Sequence, residues 1–303
     1  MELHKASAIL VDEKPGSMKA ARDALHDVGF RRFHEMTNLA DVQNRLAGVG
    51  CDVLICDAET GGGVAPKMFH DIRQGDIGSD AFLPIIATTW DPNRELVTEI
   101  ISSGADLLLT LPMTIGKMKT AIETLINKRK PFVVTSDYIG PDRRSSLRDD
   151  DNPIPQIKVP NRLRHTATGE DDGVDHETIQ ELVQEQRVER YVNKILVTAG
   201  MITSMPEEHK NKLPRLLKEL AEAAELLDKR IANTRFNHQA KLCKTLVAVG
   251  RRMMSGNAAK ASDMELVRQL GNALQLVMKA KDQASIDAAN SITEMMKSRA
   301  GSS

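Results

Sequence analysis

The stretch Asp52-Val-Leu-Ile-Cys-Asp57 decides the fold. Four apolar side chains, Val53–Cys56, run without polar alternation between two aspartates. A run that short and that uniformly apolar is expected to be a strand buried on both faces, as in a parallel sheet. Working outward, Ala8–Val11 is a second such strand, ended by Asp12-Glu13. Leu83–Ala87 is another, running into Thr88-Thr89, and Leu107–Leu109 lies within Asp106–Thr110 before Leu111-Pro112. Phe33–Met36 supplies a weaker strand between the first two. Between the strands, helices are predicted over Ser17–Val28, Leu39–Leu46, Glu95–Ser103 and Ile115–Ile126, with one more through Met68, Phe69 and Ile72. Pro15 and Ser17 suit entry and cap of the first, and Asn38 caps the second. Gly61-Gly62-Gly63 reads as a flexible loop after Asp57, and Gly104 as a C-cap. Strand and helix alternating about five times imply a doubly wound, five-stranded α/β sheet with right-handed crossovers.

The remaining chain divides in two. From 129 to 176, Pro131, Pro141, Pro153, Pro155 and Pro160 punctuate a polar, charged stretch that includes Arg143-Arg144 and Asp149–Asp151. Its low apolar content predicts a flexible, partly extended linker. From 177 to 299 apolar residues recur at helical spacing: Leu213, Leu216, Leu217, Leu220, Ala224, Leu227 and Ile231; Val267, Leu270, Leu274, Val277 and Met278; Ile286, Ala289, Ile292 and Met296. A separate all-α bundle of four or five helices is expected there, broken near Met205-Pro206 and Ser255-Gly256. The α/β domain itself spans 5–128.

Composition narrows the function. A formal net charge of −1 and an aromatic content of 3% provide neither a basic surface nor a stacking platform, so no nucleic-acid partner is expected. No apolar run approaches the ~20 residues that span a membrane, and Met1–Lys5 does not open a signal peptide. Cys51, Cys56 and Cys243 form no CxxC pair, and two lie on or beside a buried strand. Unpaired buried thiols point to a reducing compartment, and the expectation is a cytoplasmic protein.

Ligands of open parallel sheets gather at the carboxyl ends of strands, which places Asp12, Glu13 and Asp57 together. Carboxylates held close repel one another unless a hard divalent cation such as Mg2+ shares them. The same cation would neutralise charge on an incoming phosphoryl group.

In order and spacing, Asp12-Glu13, Asp57, Thr89 and the strand pattern resemble the receiver domain of two-component response regulators, of the chemotaxis-regulator kind, over roughly the first 128 residues. That resemblance implies Asp57 as phosphoacceptor, Asp12, Glu13 and Asp57 as Mg2+ ligands, and Thr89 as the switch hydroxyl, five residues after Pro84. It implies a sensor histidine kinase or phosphotransfer protein upstream and a protein partner downstream, in a signalling rather than an enzymatic role. The chain departs from the pattern where receivers carry a lysine: that position is Leu111. Trp90 stands where a small residue is usual, Leu108 where a switch aromatic is, and Glu59 adds negative charge two residues past Asp57. Leu111 and Trp90 favour an alternative, a phosphorylation-independent pseudo-receiver that acts as a docking scaffold.

Two further motifs stand out. Tyr138-Ile-Gly-Pro-Asp-Arg-Arg144 resembles a tail found after some receivers; its arginine pair is read either as a solvated turn or as a docking element for a partner or for the receiver itself. His238-Gln-Ala-Lys241 resembles a phosphotransfer histidine motif, with Leu242 in place of the expected glycine, and an ordinary helix histidine is the simpler reading.

Overall fold

The computed structural model describes residues 1–144, 154–231, 240–255 and 261–279. The chain forms two compact units, Met1–Glu181 and Leu182–Ser303. In the first, strands β1 (Ser7–Val11), β2 (Arg32–Met36), β3 (Val53–Asp57), β4 (Ile85–Thr89) and β5 (Leu107–Thr110) make a parallel sheet in the order β2-β1-β3-β4-β5. Strand alternation sorts its side chains onto two cores. Ala8, Leu10, Val53, Ile55 and Ile86 pack beneath helices α1 (Pro15–Val28) and α6 (Ile115–Asn127). Ile9, Val11, Leu54, Cys56, Ile85 and Ala87 pack against α2 (Leu39–Gly48), α4 (Ala65–Arg73) and α5 (Arg94–Ser102). With helices on both faces the sheet is doubly wound, as the continuous apolar strands require.

Local chemistry explains most boundaries. Asn38 caps α2, accepting from the backbone N–H of Asp41 at 2.9 Å. Helix α1 starts earlier than expected: Pro15 occupies its first turn, and Ser17 lies inside it, donating to the carbonyl of Lys14. The three glycines after Asp57 are not a loose loop. Thr60–Gly63 winds into a short turn, α3, in which Gly61 has φ 69°. A Cβ on Gly61 would lie 3.0 Å from Val64 Cγ2, so glycine is required there by both conformation and space.

The larger correction concerns the expected linker. Over its described residues, 129–176 holds strands β6 (Phe132–Val134), β7 (Ile139–Pro141) and β8 (Gln156–Ile157), joined as an antiparallel sheet, and helix α7 (Arg162–Thr168). Phe132, Val134, Ile139, Ile157, Leu163 and Ala167 are all buried. The polar composition misled because the charges of this segment are anchors. Asp106, just before β5, accepts from Arg73 Nη2 (2.8 Å), Arg129 Nε (2.7 Å) and the N–H of Ile85 (2.9 Å). Both guanidinium groups also lie over the Phe132 ring, at 5.2 and 5.0 Å from its centroid. Asp52, just before β3, accepts from Ser7, Arg162 and Thr166 in the same fashion.

The Tyr138–Arg144 motif also belongs to this clamp. Arg143 Nη2 donates to the carbonyls of Ala105 (2.5 Å) and Asp106 (3.1 Å), while Arg144 and Gln156 both bond Asp142. Those bonds hold the Asp142 carboxyl well below the usual range. Gly104, with φ 85°, leaves room for the motif: a Cβ there would lie 2.4 Å from the carbonyl oxygen of Ile139. Of the readings open to the arginine pair, the structure shows Arg143 docked on the α/β domain of its own chain.

The second unit is helical, as expected. Its core is a single cluster built from α8 (His176–Thr203), α9 (Leu213–Ile231), α10 (Ala240–Ser255) and α11 (Ala261–Lys279). Leu217, Leu220, Ala224, Leu227 and Ile231 form the buried stripe of α9 at alternating spacings of three and four. The predicted breaks fall where α8 and α10 end. His238, Asp149–Asp151 and the Ile286–Met296 pattern lie outside the described residues, as do the side chains of Lys241, Val277 and Met278.

Two outcomes follow from these anchors. Asp106→Ala leaves the Arg73 guanidinium buried without its carboxylate and is expected to destabilise the N-terminal unit by about 3–5 kcal/mol in denaturant unfolding. At the start of α8, His176 Nε2 lies 3.2 Å from Asp80 Oδ1. Its hydrogen bond to Asp80 raises the imidazole above its ordinary value of 6.5. A raised histidine adds stability that is complete below about pH 6.5 and fades as pH climbs through the folded-state value. His176→Ala is therefore expected to flatten the fall in melting temperature above pH 6.5, while leaving the profile unchanged at alkaline pH.

Candidate functional site

Asp57 closes β3 with its side chain on the Val53–Ile55 face, and Asp12 follows β1 on the face of Ala8 and Leu10. The two carboxylates thus meet at the carboxyl ends of adjacent strands, at the point where strand order reverses. Asp57 is 2% exposed and Asp12 7%. Asp12 Oδ1 accepts from the backbone N–H of Lys14 at 2.7 Å. Asp57 Oδ1 is buried with no hydrogen-bond partner. Burial, first, and the neighbouring Asp12 charge, second, raise the Asp57 carboxyl above its usual value, against a bond from the Glu59 backbone and the attraction of Lys14.

Two other expected members of the site are placed elsewhere. Glu13 is exposed, and its Oε1 accepts from the N–H of Gly61 at 2.7 Å, tying the loop after β1 to the turn after β3. Thr89, by strand alternation, stands on the Ile85–Ala87 face, and its hydroxyl exchanges bonds with the backbone of Asp91 at 3.2 and 3.3 Å. It is Thr88 that pairs in register with Asp57 and lines a small crevice with Asp12, Ser17, Leu111 and Met113. Counting from Pro84 selected Thr89; the period of two along β4 selects Thr88.

Leu111 is buried and joins the α1–α6 core, so the site has an apolar floor on its β5 side. Lys117 Nζ is held by the carbonyls of Thr110 (2.7 Å) and Pro112 (3.3 Å). Sequence reasoning missed the cation that does reach the acids. Lys14 Nζ lies 3.2 Å from Glu59 Oε2 and 3.9 Å from Asp57 Oδ2. The signal was its place directly after Asp12-Glu13. Trp90 is half exposed at the end of β4.

The described residues contain no cluster of three acidic, histidine or cysteine side chains arranged for a metal. Mg2+ commonly uses only one or two carboxylates and keeps its waters, however. Asp12 and Asp57, with the unpartnered buried oxygen of Asp57, fit that requirement; Glu13 bonds Gly61 in this structure.

The sheet order β2-β1-β3-β4-β5 is that of flavodoxin-like domains. The N-terminal unit has a doubly wound, flavodoxin-like fold. Solved structures similar to this chain include the receiver domain of a sensor histidine kinase from Pseudomonas aeruginosa with magnesium coordinated in its active-site cleft. It is 15% identical over 39% of this chain and 94% of that one, with TM-score 0.36. They also include the signal receiver domain of the putative response regulator NarL from Mycobacterium tuberculosis (16% identity, 41% and 98% coverage, TM-score 0.37). A third is the chemotaxis response regulator CheY4 of Vibrio cholerae (20% identity, 40% and 95% coverage, TM-score 0.34). No protein-family model matches the chain, and no curated protein matches its sequence.

The Asp57 environment has a measurable consequence. A raised carboxyl pKa penalises the folded state above that pKa and not below the unfolded value. Asp57→Asn is expected to raise the melting temperature of the N-terminal unit at pH 7 by about 2–4 °C, the shift that ~1 kcal/mol produces in a domain of this size. The gain is expected to shrink as pH falls toward 4, followed by calorimetry across the pH series.

Proposed function

We propose that the chain is a response-regulator-type signalling protein that accepts a phosphoryl group on Asp57 from a histidine kinase or phosphotransfer protein. The observation that carries this reading is the buried, unpartnered Asp57 Oδ1 beside Asp12, at the strand ends of a receiver-type sheet. A carboxylate with a free oxygen and a raised pKa is a poised nucleophile; carboxylates form such covalent intermediates elsewhere. Asp12 and Asp57 would hold Mg2+, whose charge offsets that of the phosphoryl group. Thr88, in register with Asp57, would be the hydroxyl that answers a new charge there. The role is one of signalling rather than catalysis, and the helical unit presents the surface read by a downstream protein. No described helix is long and apolar enough to cross a membrane.

A second reading, a phosphorylation-independent scaffold, is favoured by Leu111 in the core and by the ordered extension clamped through Asp106. Incubation with Mg2+ and a small acyl phosphate separates the two, read by intact mass. The expected outcome is a single phosphoryl adduct that disappears in Asp57→Asn and on chelation of Mg2+, and that falls at least about tenfold in Asp12→Ala. No adduct after long incubation would establish the scaffold.

A further inference from the structure

Among the described residues no cation pairs with Asp57 from the β5 side, where Leu111 packs into the core and Lys117 is held by backbone carbonyls. One does from the opposite side. Lys14 leaves the turn between β1 and α1 at a backbone position fixed by the bond from its own N–H to Asp12 Oδ1. Pro15 begins α1 immediately afterwards, so the stem of Lys14 has a fixed origin between the acidic residue and the helix. Its ammonium lies between Glu59 Oε2, at 3.2 Å, and Asp57 Oδ2, at 3.9 Å. Among the described residues, Lys14 alone forms an ion pair with Asp57.

We propose that Lys14 is the phosphoryl-binding cation of this site, supplying from the β1 side the charge that position 111 does not. The inference rests on the phosphoacceptor reading given above. In the reaction with an acyl phosphate, a carboxylate oxygen of Asp57 attacks phosphorus. The new oxygen–phosphorus bond forms as the donor's own bond to phosphorus breaks, and that electron pair leaves with the donor carboxylate. No proton or redox equivalent is needed. The product carries more negative charge, further from the strand end, than the carboxylate did. An ammonium 3.9 Å from Oδ2 is too far for a hydrogen bond to the free carboxylate, and on its flexible stem it would reach oxygens added beyond that carboxylate. Lysine suits the task as a compact charge on a flexible four-carbon stem, able to shift from Glu59 to a stronger acceptor. Lys14 is half exposed, so the movement costs no buried contact.

The test uses the full chain with Mg2+ and trifluoroberyllate, a phosphoryl mimic that is not transferred, alongside adduct formation from an acyl phosphate. Lys14→Gln is expected to bind the mimic about tenfold more weakly and to form the adduct correspondingly more slowly, as loss of one charge-assisted contact implies. Lys14→Arg is expected to stay within about threefold of the unaltered chain, a rescue that a merely structural role would not show. An unchanged melting temperature in both variants checks that the fold is intact. Equal mimic binding and equal adduct formation by Lys14→Gln and the unaltered chain would overturn the role of Lys14 alone. If the unaltered chain neither binds the mimic nor forms the adduct, the phosphoacceptor reading fails, and the role of Lys14 with it.

Discussion

Two carboxylates that end neighbouring strands on the same face of one sheet set the terms for the rest of this molecule. Asp12 and Asp57 are both buried, and their mutual repulsion adds to the cost of taking either charge out of water. A fold keeps such an arrangement only where the surrounding structure is rigid enough to enforce it. Here the enforcement is the parallel register, in which Val11 lies opposite Cys56 and Asp57 opposite Thr88, locked by apolar cores on both faces. The unpartnered oxygen of Asp57 follows from that rigidity.

The opposite ends of the same strands use aspartate differently. Asp52 and Asp106 precede β3 and β5 and are as buried as the site acids, yet every partner they need is in place. Arg73, Arg129 and Arg162 neutralise them, and through Arg129 and Arg162 the segment after α6 is attached to the sheet. One residue type therefore builds an anchor at the amino ends, where arginines arrive from α4 and from the extension, and a less compensated pair at the carboxyl ends, where among the described residues Lys14 is the cation paired with Asp57. The contrast is one of neighbours, since burial is alike at both ends.

Much of the first unit was legible in the chain because burial on both faces leaves a plain mark. Val53–Cys56 and Ala8–Val11 read as strands, and Asn38 and Gly104 marked helix ends, since each signal is local. The helical unit was legible for the same reason: the stripe of α9 repeats at a spacing that only a helix turns to one side. The extension was not, because its apolar residues are few and scattered, and its stability comes from arginine bonds to residues tens of positions away. The contacts of Glu13 and Thr89 were hidden for a related reason. Thr89 sits one position past Thr88, and a shift of one residue along a strand reverses the face it presents, while Glu13 follows β1 and bonds the distant Gly61.

The amino-acid sequence by itself determined the five-stranded α/β layout, the helical second unit and the identity of Asp12 and Asp57 as the strand-end acids, because hydrophobic periodicity acts over a few neighbouring residues. Only the tertiary structure decided that Thr88 rather than Thr89 faces Asp57, that Glu13 bonds Gly61, that Lys14 reaches the pocket, and that Arg129, Arg143 and Arg162 clamp the extension. Those outcomes depend on strand register and on the direction of charged side chains across long sequence separations, where electrostatic and hydrogen-bond partners are chosen by space and not by order along the chain.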